Sequence, residues 1–136
     1  MTKKTFVIES DFFYQGYRCL VVFHKRGGYR TAYVQVKDAT ETCNADDYFV
    51  HGGITYVGNL SQYGILEGEW LGFDAFHLWD KTDFFSWCEY FGDEDEGLPD
   101  IMLHSVNCMG TVKSCDFMRK ECKSLVCQIM KRNGAS

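Results

Sequence analysis

Two segments rich in β-branched and aromatic residues flank a pair of glycines: YRCLVVFH (17–24), KRGG (25–28) and YRTAYVQV (29–36). The segment after the glycines alternates between side-chain classes with a period close to two, which is typical of a strand. Glycine tolerates the positive φ angles of tight hairpin turns. The pattern therefore predicts two antiparallel strands joined at Gly27-Gly28.

Shorter apolar segments follow this hairpin. They predict strands at 48–50 and 54–57, interrupted at Gly52-Gly53, and a further strand at 69–74. Residues 59–68 are interpreted as a loop or a second hairpin connection. The expected sheet has four to five strands, mostly antiparallel.

Two helices are predicted in the second half of the chain. A short helix is expected at 83–91, with Asp83 as its N-cap. A longer amphipathic helix is expected from Ser114 to Arg132, because apolar side chains recur there at three- and four-residue spacing. The expected fold class is α+β, with this C-terminal helix packed on one face of the sheet.

Composition places the chain among globular proteins. Its 136 residues suit one domain, 1–136, and 46% of them are hydrophobic and 24% charged. Pro99 is the single proline, and no Pro-rich or Ser-rich linker divides the chain. The aromatic fraction of 16% is high, and it favours either an aromatic-rich core or a binding surface.

The net charge indicates which class of partner to expect, and the cysteine content indicates the cellular compartment. The net charge is −5, whereas nucleic-acid binders usually carry a basic face, so direct sequence-specific nucleic-acid binding is not expected. The seven cysteines form no CxxC pair and are too few for a disulfide scaffold. No signal-peptide or membrane-spanning segment is recognised. We expect a cytoplasmic protein, of a host or of a bacterium, that does not enter a membrane.

A central block concentrates the unusual polar residues: VHGGITY (50–56) followed by WLGFDAFHLWD (70–80). Asp74, His77 and Asp80 recur every three residues within it. A strand that ends near Asp74 and turns through His77 would bring these three side chains together at a strand end, where binding sites are common.

His51 is expected to join that group, since the glycines after it allow a close backbone approach. The candidate ligand-binding residues are therefore His51, Asp74, His77, Asp80, Trp70 and Trp79. Two histidines and two aspartates are compatible with a divalent metal, although no cofactor is expected. They are equally compatible with a His/Asp acid–base pair, or with structural hydrogen bonds and turn caps.

A second candidate surface combines aromatic and acidic residues. Its proposed members, as a docking surface for a basic partner, are Phe84, Trp87, Asp93, Glu94, Asp95 and Glu96. The alternative interpretation is a core helix followed by a solvated loop. The chain contains no GxSxG, P-loop, HExxH or GxGxxG motif, and no catalytic residue is assigned.

The central block, together with Gly16-Tyr17-Arg18-Cys19, resembles a family of small uncharacterised proteins encoded by phages, prophages and other mobile elements. The resemblance covers most of the chain after Gly16 and extends into the C-terminal helix, through 108–112 and 117–129. Relatives carry Cys near position 75 and Gly near position 79, where this chain has Ala75 and Trp79. These departures favour binding over a shared enzymatic activity.

The resemblance implies an accessory protein of a phage or mobile element. Such a protein would bind a host macromolecule or a small signalling ligand and so counter a bacterial defence system, as an anti-CRISPR-like inhibitor or by sequestering a nucleotide. One alternative is a small metal-dependent hydrolase that uses His51, Asp74, His77 and Asp80. Another is a structural module without a ligand site. The sequence leaves the oligomeric state open.

Overall fold

The structure is a computed structural model that describes residues 5–37, 45–77, 80–92 and 110–134. One antiparallel sheet contains five strands in the spatial order β1-β2-β3-β5-β4. These strands are β1 (Phe6–Tyr14), β2 (Tyr17–His24), β3 (Arg30–Val36), β4 (Tyr56–Leu60) and β5 (Ile65–Asp74). Two short parallel strands, β6 (Asp80–Lys81) and β7 (Thr111–Val112), pair separately. The α-helices within these described ranges are α1 (Phe84–Phe91) and α2 (Cys115–Arg132).

The predicted α+β class is confirmed, and so is the hairpin at its centre. β2 and β3 pair in antiparallel register from Cys19 opposite Val34 to Phe23 opposite Arg30. The turn closes with a hydrogen bond from the backbone N of His24 to the carbonyl oxygen of Tyr29. Gly27 and Gly28 both have positive φ, as such a turn requires.

Helix α2 covers one face of the sheet, as predicted. Its N-cap is Ser114, whose side chain accepts a hydrogen bond from the backbone N of Phe117. The helix buries one apolar stripe against β1, β2 and β3: Met118, Cys122, Leu125, Val126 and Ile129. A second cluster lies on the other face of the sheet and contains Leu20, Val22, Tyr33, Leu60 and Trp70.

The strand predicted at 48–50 is wrong. A 3-10 turn, Ala45–Asp47, precedes this segment, and Tyr48 is buried in the core with α2. The side chain of Gln128, on α2, accepts a hydrogen bond from the backbone N of Phe49 and donates one to its carbonyl oxygen. The helix therefore satisfies the backbone groups that a neighbouring strand would otherwise pair.

Other boundaries also differ from the sequence expectation. The strand predicted at 54–57 begins at Tyr56, and most of the loop predicted at 59–68 is strand, with a 3-10 turn, Ser61–Tyr63, as the connection. β1 was not predicted. A register shift between Ile8 and Ser10 interrupts its alternation, which hides the period of two on which recognition of a strand depends.

Candidate functional site

The turn after β5 explains the three-residue spacing of the polar block. Asp74 ends the strand, as predicted, and its Oδ1 accepts a hydrogen bond from the backbone N of Phe76 at 3.1 Å. The backbone N of His77 then donates to Oδ2 of Asp80 at 3.1 Å, while the backbone N of Asp80 donates to the His77 carbonyl oxygen. Each aspartate thus fixes the turn and remains beside His77.

His51 reaches the same place from the segment held by α2. Its backbone N donates to Oε1 of Glu121 at 2.8 Å. The ring centroids of His51 and His77 lie 5.4 Å apart, and the ring of Phe117 packs edge-on against His51. The expectation that His51 and His77 lie near each other is therefore confirmed.

Asp80 is the centre of the arrangement, which we call the His–Asp cluster: His51, His77 and Asp80. Nε2 of His51 lies 2.7 Å from Oδ1 and 2.8 Å from Oδ2 of Asp80, and Nδ1 of His77 lies 2.9 Å from Oδ2. One ligand atom from each residue can be chosen so that all three lie within 4.8 Å of one another. Imidazole nitrogens and a carboxylate oxygen are atoms of the type that a divalent metal binds.

Lys113 completes the surroundings of the carboxylate. Its Nζ lies 3.1 Å from Oδ1 of Asp80. Burial raises the pKa of Asp80, but hydrogen bonds from His51, His77 and Lys113 outweigh that effect and hold the pKa below its ordinary value. Asp80 is therefore ionised at neutral pH although its side chain is only 1% exposed.

Gly52 allows the ring of His77 to lie against the chain. Its φ is +71°, and a Cβ at this position would collide with the imidazole of His77. The other face of the cluster is open, since the side chain of His77 is 37% exposed and that of His51 is 22% exposed. A solute can therefore reach the two imidazoles, which are hydrogen-bonded to the buried carboxylate of Asp80.

Asp74 belongs to the outer layer of the cluster. Its Oδ1 lies 3.4 Å from Nε2 of His77, on the opposite edge of the ring from Asp80. Its Oδ2 accepts a hydrogen bond from Oγ1 of Thr55 at 2.9 Å. The structure therefore brings together all four of the predicted polar residues. Asp74 contacts the cluster through the ring of His77.

Two tryptophans predicted for binding surfaces are buried elsewhere. Trp70 is fully buried on the sheet face away from α2, and its Nε1 donates to the carbonyl oxygen of Glu67. Trp87 is also fully buried, against Phe23 and Phe91. The prediction that Trp70 flanks the cluster is therefore wrong, and so is the prediction that Trp87 belongs to a partner surface. The pattern of aromatic residues predicted large apolar contacts but not the side of the sheet on which they form.

The remaining members of the predicted surfaces have different outcomes. Phe84 is partly buried beside the Trp87 cluster. Trp79 and the acidic residues 93–96 lie outside the described residues. The helix predicted at Phe84 is confirmed, with Asp83 as its N-cap, and its exposed aromatic residue is Phe85.

A cavity of about 790 Å³ lies at the hairpin end of the sheet, and we call it the aromatic pocket. Its lining consists of Thr5, Phe6, His24, Arg26, Gly27, Tyr29, Gln62, Tyr63 and Phe76. Tyr29 stacks on His24 with 5.0 Å between ring centroids and contacts Phe76 at 4.6 Å. Phe6 contacts Tyr63 edge-on at 5.0 Å. The cavity size lies within the usual range for small-molecule sites.

Hydrogen bonds hold the inner wall of this pocket in place. Nε2 of His24 lies 2.9 Å from Oγ1 of Thr31, and the hydroxyls of Tyr33 and Tyr63 lie 2.7 Å apart. Burial lowers the pKa of His24, so its imidazole is neutral at neutral pH. Burial likewise raises the pKa of Tyr29 and keeps its hydroxyl protonated.

Several functional candidates were missed in the sequence. The sequence analysis assigns no role to His24, to Lys113 or to the pocket residues Tyr29, Tyr63 and Phe76. The aromatic surplus was the available signal for the pocket. Lys113 had no signal, because a lone lysine before a helix carries no pattern.

Comparisons with family models, curated proteins and solved structures find no match to this chain. Among the described residues, no helix has both the length and the apolar character needed to span a membrane. The function is therefore argued from the geometry of the His–Asp cluster and the aromatic pocket.

Proposed function

We propose that this chain is an accessory protein of a phage or mobile element that binds a small signalling ligand of the nucleotide class. The observation that carries the proposal is the aromatic pocket, about 790 Å³ in volume, with aromatic rings on several sides and an arginine in its lining. The mobile-element origin rests on the resemblance of the central block.

Stacking is the interaction that the pocket walls offer. A nucleobase is a planar ring with a π-face, and base–aromatic stacking contributes about 1–3 kcal/mol per base. Phe76 is 52% exposed, so its ring is accessible to a planar ligand, and Tyr29 supports it from within the pocket. Such a ligand would bury this apolar surface.

Arg26 provides the pocket with a positive charge that can pair with an anion, and the carboxylate of Asp74 lies near His24 and Tyr29. Among the described lining residues, Arg26 is the single formally charged side chain, and it is exposed. A guanidinium pairs well with phosphate because its donors match two phosphate oxygens at once. The neutral imidazole of His24 adds hydrogen-bonding capacity at the inner wall without adding charge.

A small ligand is favoured over a host macromolecule by the position of Trp87. That residue was expected to form a docking surface together with Phe84 and the acidic residues 93–96, and it is buried in the core. The aromatic pocket, in contrast, is a partly open cavity of about 790 Å³.

Calorimetric titration of the purified protein with AMP, GMP, cyclic AMP and cyclic di-AMP tests the proposal. We expect saturable binding of at least one of them, weakened about tenfold or more by Phe76→Ala or Arg26→Ala. Phe85→Ala is the matched control, since Phe85 is 87% exposed and lies outside the pocket. Equal affinity in the Phe76 and Phe85 variants would contradict the pocket as the site, and absence of binding to all four compounds would contradict the nucleotide class.

A second candidate function, hydrolysis, is favoured by the His–Asp cluster. Two accessible imidazoles on a buried carboxylate are suited to activating water by general base catalysis. The two functions differ in the fate of the ligand. A sequestering protein returns it unchanged after denaturation, whereas a hydrolase converts it to product at a rate that His77→Ala lowers.

A further inference from the structure

We propose that the His–Asp cluster is a binding site for a first-row divalent metal ion, Zn²⁺ foremost, with Nε2 of His51, Nδ1 of His77 and Oδ2 of Asp80 as ligands. The argument for this site is independent of the aromatic pocket, and the two proposals can fail separately.

The three atoms lie within 4.8 Å of one another, and both nitrogens lie next to the same carboxylate oxygen. Oδ2 of Asp80 lies 2.8 Å from Nε2 of His51 and 2.9 Å from Nδ1 of His77. Zinc–ligand distances of about 2.0–2.2 Å place tetrahedral ligand atoms about 3.3–3.5 Å apart. Each ring therefore needs to move outward by about half an ångström to admit the ion.

Both ring nitrogens of His77 lie beside carboxylates, with Nδ1 at 2.9 Å from Asp80 and Nε2 at 3.4 Å from Asp74. A neutral imidazole has one N–H donor and one acceptor nitrogen. This placement suits a metal ligand, because with an ion on Nδ1 the Nε2–H can donate to Asp74.

This arrangement has the outer layer that metal sites in proteins usually have. A ligating histidine generally donates its other N–H to a carboxylate, which fixes the tautomer and the orientation of the ring. Asp74 occupies that position, and Thr55 in turn holds Asp74. Lys113 contacts Oδ1 of Asp80, and Oδ2, which also accepts from the backbone N of His77, is the oxygen nearest to both rings and would bind the ion in monodentate fashion.

The ligands are held by the fold. Glu121 fixes the backbone of His51, and the turn from His77 to Asp80 is closed by backbone hydrogen bonds. Gly52 provides the space in which the His77 ring lies. Three protein ligands on an open face leave a coordination position for water or a substrate, which is the pattern of catalytic rather than structural zinc sites.

The donor set selects the class of metal. Imidazole nitrogens suit Zn²⁺, Co²⁺, Ni²⁺ and Cu²⁺, whereas Mg²⁺ and Ca²⁺ prefer oxygen ligands. We therefore expect Zn²⁺ and Co²⁺ to bind and Mg²⁺ not to bind at comparable concentrations.

The experiment is a titration of chelator-treated protein, produced without a His-tag, with ZnCl₂, CoCl₂ and MgCl₂. We expect one equivalent of Zn²⁺ to bind, with at least a hundredfold loss of affinity in His77→Ala and in Asp80→Asn. Asp74→Asn should weaken binding about tenfold to a hundredfold. His24→Ala is the matched histidine control, since His24 lies in the aromatic pocket, and it should retain the affinity of the parent protein.

The absorption spectrum of the Co²⁺ complex identifies the ligands. Cys88 and Cys127 are exposed thiols that also bind transition metals. A thiolate complex shows intense ligand-to-metal charge transfer in the near ultraviolet, whereas a complex of two histidines and one aspartate lacks it. Circular dichroism of each variant confirms that it is folded.

Three results would overturn the proposal: absence of Zn²⁺ and Co²⁺ binding, unchanged affinity in folded His77→Ala, or a thiolate band in the Co²⁺ spectrum that accounts for the whole stoichiometry. Variants Phe76→Ala and Arg26→Ala should retain metal affinity, so that loss of nucleotide binding and loss of metal binding remain distinguishable.

Discussion

Two clusters of charged residues lie side by side in this protein and differ in their exposure to solvent. The first, which we call the arginine network, consists of Arg30, Glu9 and Asp83, whose side chains are 4%, 6% and 15% exposed. The second is the His–Asp cluster. Lys113 joins them, because its carbonyl oxygen accepts from Nη1 of Arg30 while its Nζ contacts Asp80.

In the arginine network every N–H donor of Arg30 makes a hydrogen bond. Arg30 has five N–H donors, and it makes five hydrogen bonds: two to Glu9, and one each to Asp83, Ser86 and the carbonyl oxygen of Lys113. It therefore has no donor left for a ligand. The His–Asp cluster encloses its carboxylate equally well but exposes its imidazoles. Both clusters are built from ordinary ion-pair chemistry, and the difference in exposure separates a structural junction from a binding site.

The largest expected effect is loss of the arginine network. Arg30→Met removes the cation and leaves Glu9 and Asp83 as buried, unpaired carboxylates. We expect the free energy of unfolding to fall by about 3–5 kcal/mol, measured by urea denaturation.

The control for Arg30→Met is the same substitution at Arg18, whose pair with Asp11 is partly exposed, at 30% and 41%. Its loss should cost about 1 kcal/mol or less. Equal effects at Arg18 and Arg30 would contradict the assignment of the arginine network as the structural junction.

An intermediate effect is expected from the charge of Asp83 alone. Burial raises the pKa of Asp83. Hydrogen bonds from Ser86 and Arg30 lower that pKa by more than burial raises it, so the folded pKa lies below the unfolded value. The ionised carboxylate therefore contributes stability above about pH 4, and that contribution is lost as the pH falls through the folded pKa. Asp83→Asn should cost about 1–3 kcal/mol at pH 7, and the difference should shrink toward zero in strong acid.

Asparagine is the appropriate replacement because it is as good an N-cap as aspartate, which leaves the start of α1 intact. Urea denaturation of both proteins between pH 7 and pH 3 gives the comparison. A difference in stability that does not change over this range would show that Asp83 acts through geometry rather than charge.

The smallest effect on stability is expected in the His–Asp cluster. The side chain of His77 is 37% exposed, so His77→Ala should lower the free energy of unfolding by less than about 1 kcal/mol while abolishing metal binding. Thermal denaturation in the presence of a chelator measures the first quantity. A loss comparable to that of Arg30→Met would instead support the structural module without a ligand site.

The elements that were predicted correctly are those whose signals are local. The β2–β3 hairpin depends on a glycine turn between two apolar segments, and α1 and α2 depend on N-caps at Asp83 and Ser114. The segment at Tyr48 was predicted wrongly because its partners are side chains of α2, about eighty residues further along the chain. β1 was missed because a bulge interrupts its periodicity.

The candidate site was predicted in part for the same reason. Asp74, His77 and Asp80 lie within one turn, so their spacing indicated that they would converge. Trp70 belongs to the same block, but its neighbours in strand β5 direct it to the opposite side of the sheet. The approach of Lys113 to Asp80 had no counterpart in any sequence pattern.

The sequence by itself determined the hairpin, the two helices, the end of β5 and the turn that holds His77 between two aspartates. Hydrogen bonds and apolar periodicity among near neighbours suffice for each of these. The tertiary structure decided which face buries Trp70, that His51 and Lys113 meet at Asp80, and that the rings of Tyr29, Tyr63 and Phe76 line a cavity. These contacts join residues far apart in the chain, and such contacts depend on the order of strands in the sheet and on where α2 lies, which no local pattern specifies.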